Sequence, residues 1–427
     1  MPPSSKDRLV SFLRWTEKYT KTDMVYLAKG GFWSVSAQIV TTLLVLGFAI
    51  LVARVLPKDV YGQYKYILAT VALLSSFSLT GLGTAVFQSV ASGFDGALRQ
   101  GFIANLRWSA VIFLGAFGLA AYYLSQGNST LSFGILVGGS LSPFLTSANL
   151  AGMFLSAKKD FARSNIYFSI VENLIAIGAL AITVLLTHDP LVLATVYFAG
   201  NTFATYLLYR RVIRVYRPDP AKTDSSMVTY AKHLSVMGIL NGIASNIDQI
   251  LLFHFVGPVQ LAIYNFAVAI PDQTKGPIKT LGTMVQAKFV TRTAEEIKKR
   301  MAHKLWMLFI ASTIFVLVYI LSAPTIFRFL FPNYTDAVLY SQIYALSLLG
   351  LFATPAGSFF AAKKMVREQY AATVLYSTFQ IAVLYVGVIS WGLMGLIVSR
   401  VVIRIFSGIL TLSLYQFRNK NLSEETG

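Results

Sequence analysis

Cysteine is absent from the 427-residue chain, and acidic residues are scarce. Without cysteine there can be no disulfide framework, no thiolate metal site and no cysteine nucleophile. The four histidines are scattered, with none of the short spacings of metal-binding motifs, so the sequence predicts neither a metal nor a cofactor. Only 13% of the residues are charged, whereas soluble domains have about 25%. An ordinary soluble protein and a disordered chain are therefore both excluded.

What the chain has instead is long apolar runs. Hydrophobic residues make up 55% of it, and the mean hydropathy is +0.62. The runs are continuous rather than alternating, and many approach the roughly twenty residues that a helix needs to cross a bilayer. They predict an all-α polytopic membrane protein with about twelve transmembrane helices. We number these spans 1 to 12, and they cover residues 30–53, 64–90, 105–124, 131–156, 164–187, 190–209, 233–256, 261–287, 304–323, 335–360, 371–390 and 392–415.

Basic residues are distributed very unequally between the connections. Of the 36 Lys and Arg residues, 28 lie in the two ends of the chain and in the connections after even-numbered spans, which we call the linker face. Four lie in the connections after odd-numbered spans, which we call the far face. This asymmetry predicts a multi-pass protein of the cytoplasmic (inner) membrane with both termini cytoplasmic. It also explains the formal charge of +18 without nucleic acid, for which the sequence has no interleaved basic and aromatic surface.

The longest connection on the linker face divides the chain into two halves of six spans. A faint internal repeat supports a duplication, since Pro57 and Tyr64 after span 1 correspond to Pro258 and Tyr264 after span 7. Halves with the same orientation predict parallel repeats, with substrate held between them. The basic N-terminus is either a helix on the membrane surface or a solvated tail. The predicted division is residues 1–29 for the N-terminus, 30–209 for the first bundle, 210–232 for the linker, 233–415 for the second bundle and 416–427 for the tail.

Three segments carry a resemblance to a known family: Ala53–Tyr64, Asn246–Asn265 and Leu330–Tyr334. With the length and the span count, they make the chain similar to the Wzx-type oligosaccharide flippases of the polysaccharide transport family, within the multidrug/oligosaccharidyl-lipid/polysaccharide exporter superfamily. The resemblance implies two six-helix bundles around a central cavity lined by charge. It also implies a polyprenyl-pyrophosphate-linked oligosaccharide as substrate, moved from the inner to the outer leaflet. One departure is Ala262, where the second repeat of the family usually has glycine.

Charged residues inside the spans are candidates for the mechanism, because a charge at mid-bilayer normally faces a cavity or a partner. Arg400 and Arg404 lie four residues apart on one face of span 12, with the apolar run 405–414 beyond them. We expect them either to line the cavity or to pair with Glu172 or another acid. Lys275 and Lys279 repeat the spacing in span 8, which Pro271 and Pro277 break. The alternatives there are a simple kink and local neutralisation of Lys275 by Asp272.

Together these four cations predict a binding site for pyrophosphate, whose oxygens match the planar fork of arginine. The remaining charges are candidates for coupling or gating. Glu172, near the middle of span 5, would relay protons or form a salt bridge with Arg400 or Arg404. Asp248 and Asp272 belong to spans 7 and 8; for Asp248 the alternatives are helix capping and a pair with Lys58. Arg54 closes span 1, where it is either interfacial or part of a gate.

The sequence therefore predicts a non-enzymatic flippase for surface polysaccharide such as O-antigen, capsule, exopolysaccharide or lipopolysaccharide. It would work by alternating access, with possible coupling to protons or sodium. Its expected partners are membrane lipids and possible polysaccharide polymerases. A drug/cation antiporter is an alternative, but four basic residues within spans disfavour a cationic substrate. A membrane-embedded polymerase or ligase is the other, but the far-face connections are too short for a catalytic domain.

Overall fold

A computed structural model describes residues 24–273, 294–362 and 366–424. All regular elements within these ranges are helical, as the apolar runs predict. The helices of the first half are Met24–Val55 for span 1; Lys58–Ser75 and Leu82–Ala91 for span 2; Ala97–Trp108 and Ala110–Ser125 for span 3; Ser129–Ala148 and Leu150–Ala157 for span 4; Phe161–Asn165, the π-helix Ile166–Val171 and Glu172–Leu186 for span 5; and Pro190–Tyr216 for span 6.

The second half repeats the pattern of six spans. Its helices are Met227–Phe255 for span 7; Pro258–Gln273 for the described part of span 8; Ala294–Leu330 for span 9; Pro332–Ala337 (3-10), Val338–Ala345, Leu346–Ala353 (3-10) and Thr354–Ala362 for span 10; and Val366–Glu424 for spans 11 and 12. Spans 11 and 12 are separated by a kink at Trp391 and Gly392, where Gly392 has a φ of +56°. Eight helical stretches of the described residues are long and apolar enough to cross a membrane, and one of them, Tyr370–Gln416, contains two spans.

The tight far-face turns follow from local sequence. Asn128 and Asp189 begin spans 4 and 6 as N-caps, their side chains accepting hydrogen bonds from the amides of Leu131 (3.0 Å) and Leu191 (2.8 Å). The connection between the halves is shorter than predicted, because span 6 continues to Tyr216 and span 7 begins at Met227. The tail predicted at 416–427 is helical up to Glu424.

Spans 2 and 7 join the two bundles over much of their length. Span 2 is interrupted at residues 76–81, and there the amide of Gly81 donates a hydrogen bond to Ser235 Oγ at 3.0 Å. A Cβ added to Gly238 would lie 1.9 Å from Thr80 Oγ1, and one added to Gly242 would lie 2.0 Å from Ser76 Oγ. Glycine at these two positions therefore permits close contact between spans 2 and 7, and a larger residue would push the two helices apart.

Burial is consistent with a protein surrounded by lipid. The largest core joins both halves near the far face and includes the fully buried rings of Phe266, Phe331 and Tyr334. Large apolar side chains also cover the outside, where Leu186 is 80% and Leu321 is 81% exposed. In water such a surface would aggregate, whereas hydrocarbon accepts it without cost.

Candidate functional site

Two buried charges of the second bundle form an ion pair. Asp248 of span 7 is 2% exposed, and the side chain of Arg400 of span 12 is 19% exposed. The Arg400 guanidinium forms a salt bridge with the Asp248 carboxylate. Arg400 donates to Asp248 Oδ2 through Nε at 3.1 Å and through Nη2. The hydroxyl of Tyr264, on span 8, donates to the same oxygen. Three spans therefore meet at one carboxylate oxygen.

The structure gives each of these two residues a partner. Arg400 binds an acid of its own bundle and not Glu172, while Asp248 binds Arg400 and not Lys58. The second oxygen, Asp248 Oδ1, is buried and has no hydrogen-bond partner among the described residues. A buried acceptor without a donor costs free energy. The Asp248 carboxylate can therefore accept one more hydrogen bond, at Oδ1.

Asp272 and Arg404 lie in the same bundle but are held differently. Tyr344 of span 10 donates its hydroxyl to Asp272 Oδ1 at 2.7 Å. Arg404 lies one turn beyond Arg400 and is half-buried. Its backbone packs closely on Gly350, where an added Cβ would lie 2.6 Å from the Arg404 carbonyl oxygen. Within the described ranges its guanidinium makes neither a hydrogen bond nor an ion pair.

Lys275 and Lys279 lie outside the described residues. The two acids and two arginines that are described, Asp248, Asp272, Arg400 and Arg404, carry equal and opposite charge. In the four-cation site predicted from the sequence, positive charge therefore exceeds negative charge only through the two lysines.

Glu172 lies in the first bundle, separate from the arginines. It begins the α-helix that follows the π-helix Ile166–Val171, and π-helical turns occur often at functional sites. Its side chain is buried, with Thr205 Oγ1 of span 6 at 2.8 Å from Glu172 Oε1. The same hydroxyl lies 2.7 Å from the carbonyl oxygen of Asn201, so its one proton is divided between two acceptors. Glu172 is thus weakly hydrogen-bonded, and among the described residues it forms no salt bridge with Arg400 or Arg404, which was one of the two alternatives for it.

Arg54 joins the two halves at the far face. Its Nη2 donates to the carbonyl oxygen of Phe329 at 2.9 Å. Next to it, Lys58 Nζ at the start of span 2 lies 2.6 Å from Asp336 Oδ2 at the start of span 10. Both contacts are exposed, so Arg54 is at once interfacial and part of a bridge between the bundles.

Sequence reasoning missed the uncharged polar groups of the second bundle. Tyr264, Tyr344 and Gln380 each bind across spans, Gln380 by donating from span 11 to the carbonyl oxygen of Ala244 in span 7. Tyr264 was noticed only as part of the internal repeat and of a segment that carries the family resemblance. A search for polar atoms within apolar spans would have found all three, because lipid leaves such atoms no partner except protein.

Comparison with known proteins gives one family. Residues 27–272 match the family described as "Polysaccharide biosynthesis protein". None of the curated proteins matches the chain.

Solved structures share the fold at low sequence identity. An inward-facing multidrug resistance MATE family transporter of the MOP superfamily is 14% identical, with a TM-score of 0.72 over 93% of this chain and 99% of that one. The lipid II flippase MurJ, in an inward closed conformation, is 12% identical, with a TM-score of 0.66 over 91% and 87%. A MOP superfamily transporter from Pyrococcus furiosus is 14% identical, with a TM-score of 0.62 over 93% and 96%.

Proposed function

Because the chain belongs to the polysaccharide biosynthesis protein family, we propose that it is a flippase for a polyprenyl-pyrophosphate-linked oligosaccharide. It would move this unit from the inner to the outer leaflet of the cytoplasmic membrane for surface polysaccharide. The observation that carries the proposal is the pair of arginines inside span 12, Arg400 and Arg404, within a fold shared with a lipid II flippase. An interior arginine pair disfavours the cationic substrates of a drug antiporter.

The binding site is formed by the cations of the second bundle. Arg404 has an open guanidinium whose planar fork suits two phosphate oxygens. Arg400 is oriented by Asp248 and Tyr264, so it contributes positive potential from a fixed position. Lys275 and Lys279 supply the surplus charge that a pyrophosphate needs. Moving that group through hydrocarbon unaided would be prohibitively costly, and cations in the protein interior lower this barrier.

Alternating access is supported by contacts that close the far face. Gly62 of span 2 packs on Pro258, and the Arg54–Phe329 and Lys58–Asp336 contacts lie beside it. Opening the far face would separate these groups. The close contact between spans 2 and 7 near Gly81 and Ser235 lies towards the linker face, and separating it would open that side instead.

Energy coupling is assigned to carboxylates that can change their proton or ion occupancy. Glu172 has only a shared hydroxyl as donor, and Asp248 has one oxygen without a donor among the described residues. Protonation of Glu172 would remove a charge from the first bundle. The unequal distribution of basic residues supports cytoplasmic termini, with delivery to a polymerase at the far face.

The test is a lipid analysis in cells that lack the gene. We expect surface polysaccharide to be lost and lipid-linked units to accumulate with their sugars facing the cytoplasm. Wild type should restore export, Arg404→Ala should not, and Arg210→Ala, which removes an exposed charge of the linker face, should restore it. Units that face outwards but stay unjoined would contradict the proposal and favour a polymerase or ligase.

A further inference from the structure

A second basic site lies at the linker face, away from the interior arginines. A cavity of about 620 Å³ opens between the first helix of span 3, the connection 217–226 and the start of span 7. This volume is within the range of ligand-binding pockets. Three of its lining residues are basic, Arg99, Arg107 and Lys232, and none is acidic.

The basic groups surround an apolar surface. Arg99, Ile103 and Arg107 succeed one another at four-residue spacing, so they share one face of the helix. Lys232 Nζ lies 4.9 Å from the centre of the Trp108 ring. In the part of the chain that the structure describes, none of the three cations forms an ion pair with a carboxylate. Their charge is therefore available to an anion.

The connection between the bundles is fixed as one wall of the cavity. Gly96 donates its amide to the carbonyl oxygen of Lys222 at 2.9 Å, and Gln100 Nε2 donates to that of Asp224 at 2.9 Å. The Asp224 carboxylate is bound by Ser89 Oγ at 2.6 Å, and this hydrogen bond holds its pKa below the usual range. The negative charge of Asp224 is thus stabilised by hydroxyl donors that do not line the cavity.

The surroundings indicate a ligand with an apolar part. Ile103 and Trp108 are exposed, and the second helix of span 3, Ala110–Ser125, follows with outward-facing apolar side chains such as Leu114, which is 68% exposed. Tryptophan together with arginine and lysine at the end of a span is typical of the membrane interface. A soluble anion would bind the three cations but would leave the apolar surface of Ile103 and Trp108 uncovered.

We propose that this cavity binds an anionic phospholipid of the membrane, with its phosphate between Arg99, Arg107 and Lys232 and its acyl chain along Ile103 and Trp108. Because the connection 217–226 forms one wall, a bound lipid would also hold the linker between the bundles. This role does not depend on which substrate the protein transports.

The first experiment is native mass spectrometry of the full chain in detergent with added lipid. We expect phosphatidylglycerol to bind at least about ten-fold more tightly than phosphatidylcholine, because each nearby basic residue favours an anionic headgroup. Arg99→Gln/Arg107→Gln should abolish this preference. Arg210→Gln/Arg214→Gln, which removes two exposed charges from the same face, should retain it. Equal loss in both variants would overturn the site in favour of general surface attraction.

A second variant tests the space inside the cavity while leaving its charge unchanged. Ala104 lines the cavity, and Ala104→Trp would fill it while leaving every basic residue in place. We expect this variant to lose the bound phosphatidylglycerol as well, with an unchanged circular dichroism spectrum. Tight binding that survives the filling would overturn the proposal.

Protection of the linker distinguishes a lipid from a soluble phosphate. Lys222 is exposed in the connection, so trypsin can cleave after it. Phosphatidylglycerol should slow this cleavage several-fold in wild type and have no effect in Arg99→Gln/Arg107→Gln. Glycerol phosphate without acyl chains should give no protection. Full protection by glycerol phosphate would show a soluble anion as the ligand and contradict the lipid proposal.

Discussion

At the scale of single residues, the Asp248–Arg400 pair is a buried charge pair whose partners depend on one another. Both charges are mostly withdrawn from solvent, and Tyr264 adds a donor to the same carboxylate oxygen. Such a pair contributes little relative to well-packed apolar residues, but removal of one partner leaves an uncompensated buried charge. The structure therefore predicts a strong asymmetry between single and double substitutions.

Asp248→Asn and Arg400→Gln should each lower the free energy of unfolding by about 3 kcal/mol, because each leaves the opposite charge unpaired in the interior. The double variant Asp248→Asn/Arg400→Gln should regain a large part of this loss. Thermal unfolding in detergent measures all three. Additive losses in the double variant would show that the two charges are not coupled.

Glu172 tests whether the first bundle takes part in energy coupling. Glu172→Gln keeps a group that can accept from Thr205 but cannot release a proton. In proteoliposomes we expect translocation by this variant to lose its dependence on an imposed pH gradient. Thr205→Val removes the hydroxyl and keeps the carboxylate, so it should keep the dependence. An unchanged response of Glu172→Gln to the gradient would exclude this residue as the proton carrier.

The charged residues could be identified from sequence, but their partners could not. A charge inside an apolar run stands out because lipid tolerates few of them. Arg400 and Asp248 lie 152 positions apart, and their meeting depends on how spans 7 and 12 are rotated and packed. Hydropathy does not specify that rotation. For this reason the sequence identifies the charged residues but leaves the partner of Glu172 open, and in the structure that partner is Thr205.

At the scale of helices, the contact between spans 2 and 8 depends on Gly62. An added Cβ there would lie 1.9 Å from the Pro258 carbonyl oxygen, and backbone cannot move aside as a flexible side chain can. Gly62 and Pro258 belong to the two repeat segments recognised in the sequence. Those segments therefore face one another across the two bundles at the far face.

Gly62→Ala should prevent full closure of the far face. The chain has no cysteine, so a single Phe266→Cys, at a fully buried position beside this contact, can report access without a background signal. We expect a membrane-impermeant maleimide to label Phe266→Cys faster in the Gly62→Ala background. Gly178→Ala, where an added Cβ meets nothing within 4 Å, is the matched control. Equal labelling in both backgrounds would argue against Gly62 as a closure point.

Helices were predicted far better than their interruptions. Bilayer thickness fixes the length of an apolar run, so the number of spans follows from hydropathy alone. The π-helix Ile166–Val171 and the 3-10 segment Leu346–Ala353 leave no such trace, because they preserve apolar character while changing the winding of the backbone. These local changes are set by packing between helices.

At the scale of the whole molecule, the two bundles share an apolar core near the far face and also meet through contacts of two further kinds. Spans 2 and 7 pack through small residues, whereas Arg54–Phe329 and Lys58–Asp336 are exposed polar contacts at the far face. Exposed ion pairs stabilise a structure by only about 0–1 kcal/mol. Such contacts can therefore break and re-form during transport, whereas the glycine-dependent packing requires displacement of whole helices.

A covalent link at the Lys58–Asp336 contact should consequently stop transport. Lys58→Cys/Asp336→Cys treated with a short bis-maleimide would hold the starts of spans 2 and 10 together, as the ion pair does at 2.6 Å. We expect translocation in proteoliposomes to be lost on cross-linking and to be normal before it. Lys58→Cys alone, given the same reagent, should remain active because nothing joins the bundles. Since exposed pairs contribute little, removing this one without a cross-link should barely change activity. Full activity of the cross-linked double variant would show that the far face need not open there, and would contradict alternating access through separation of these groups.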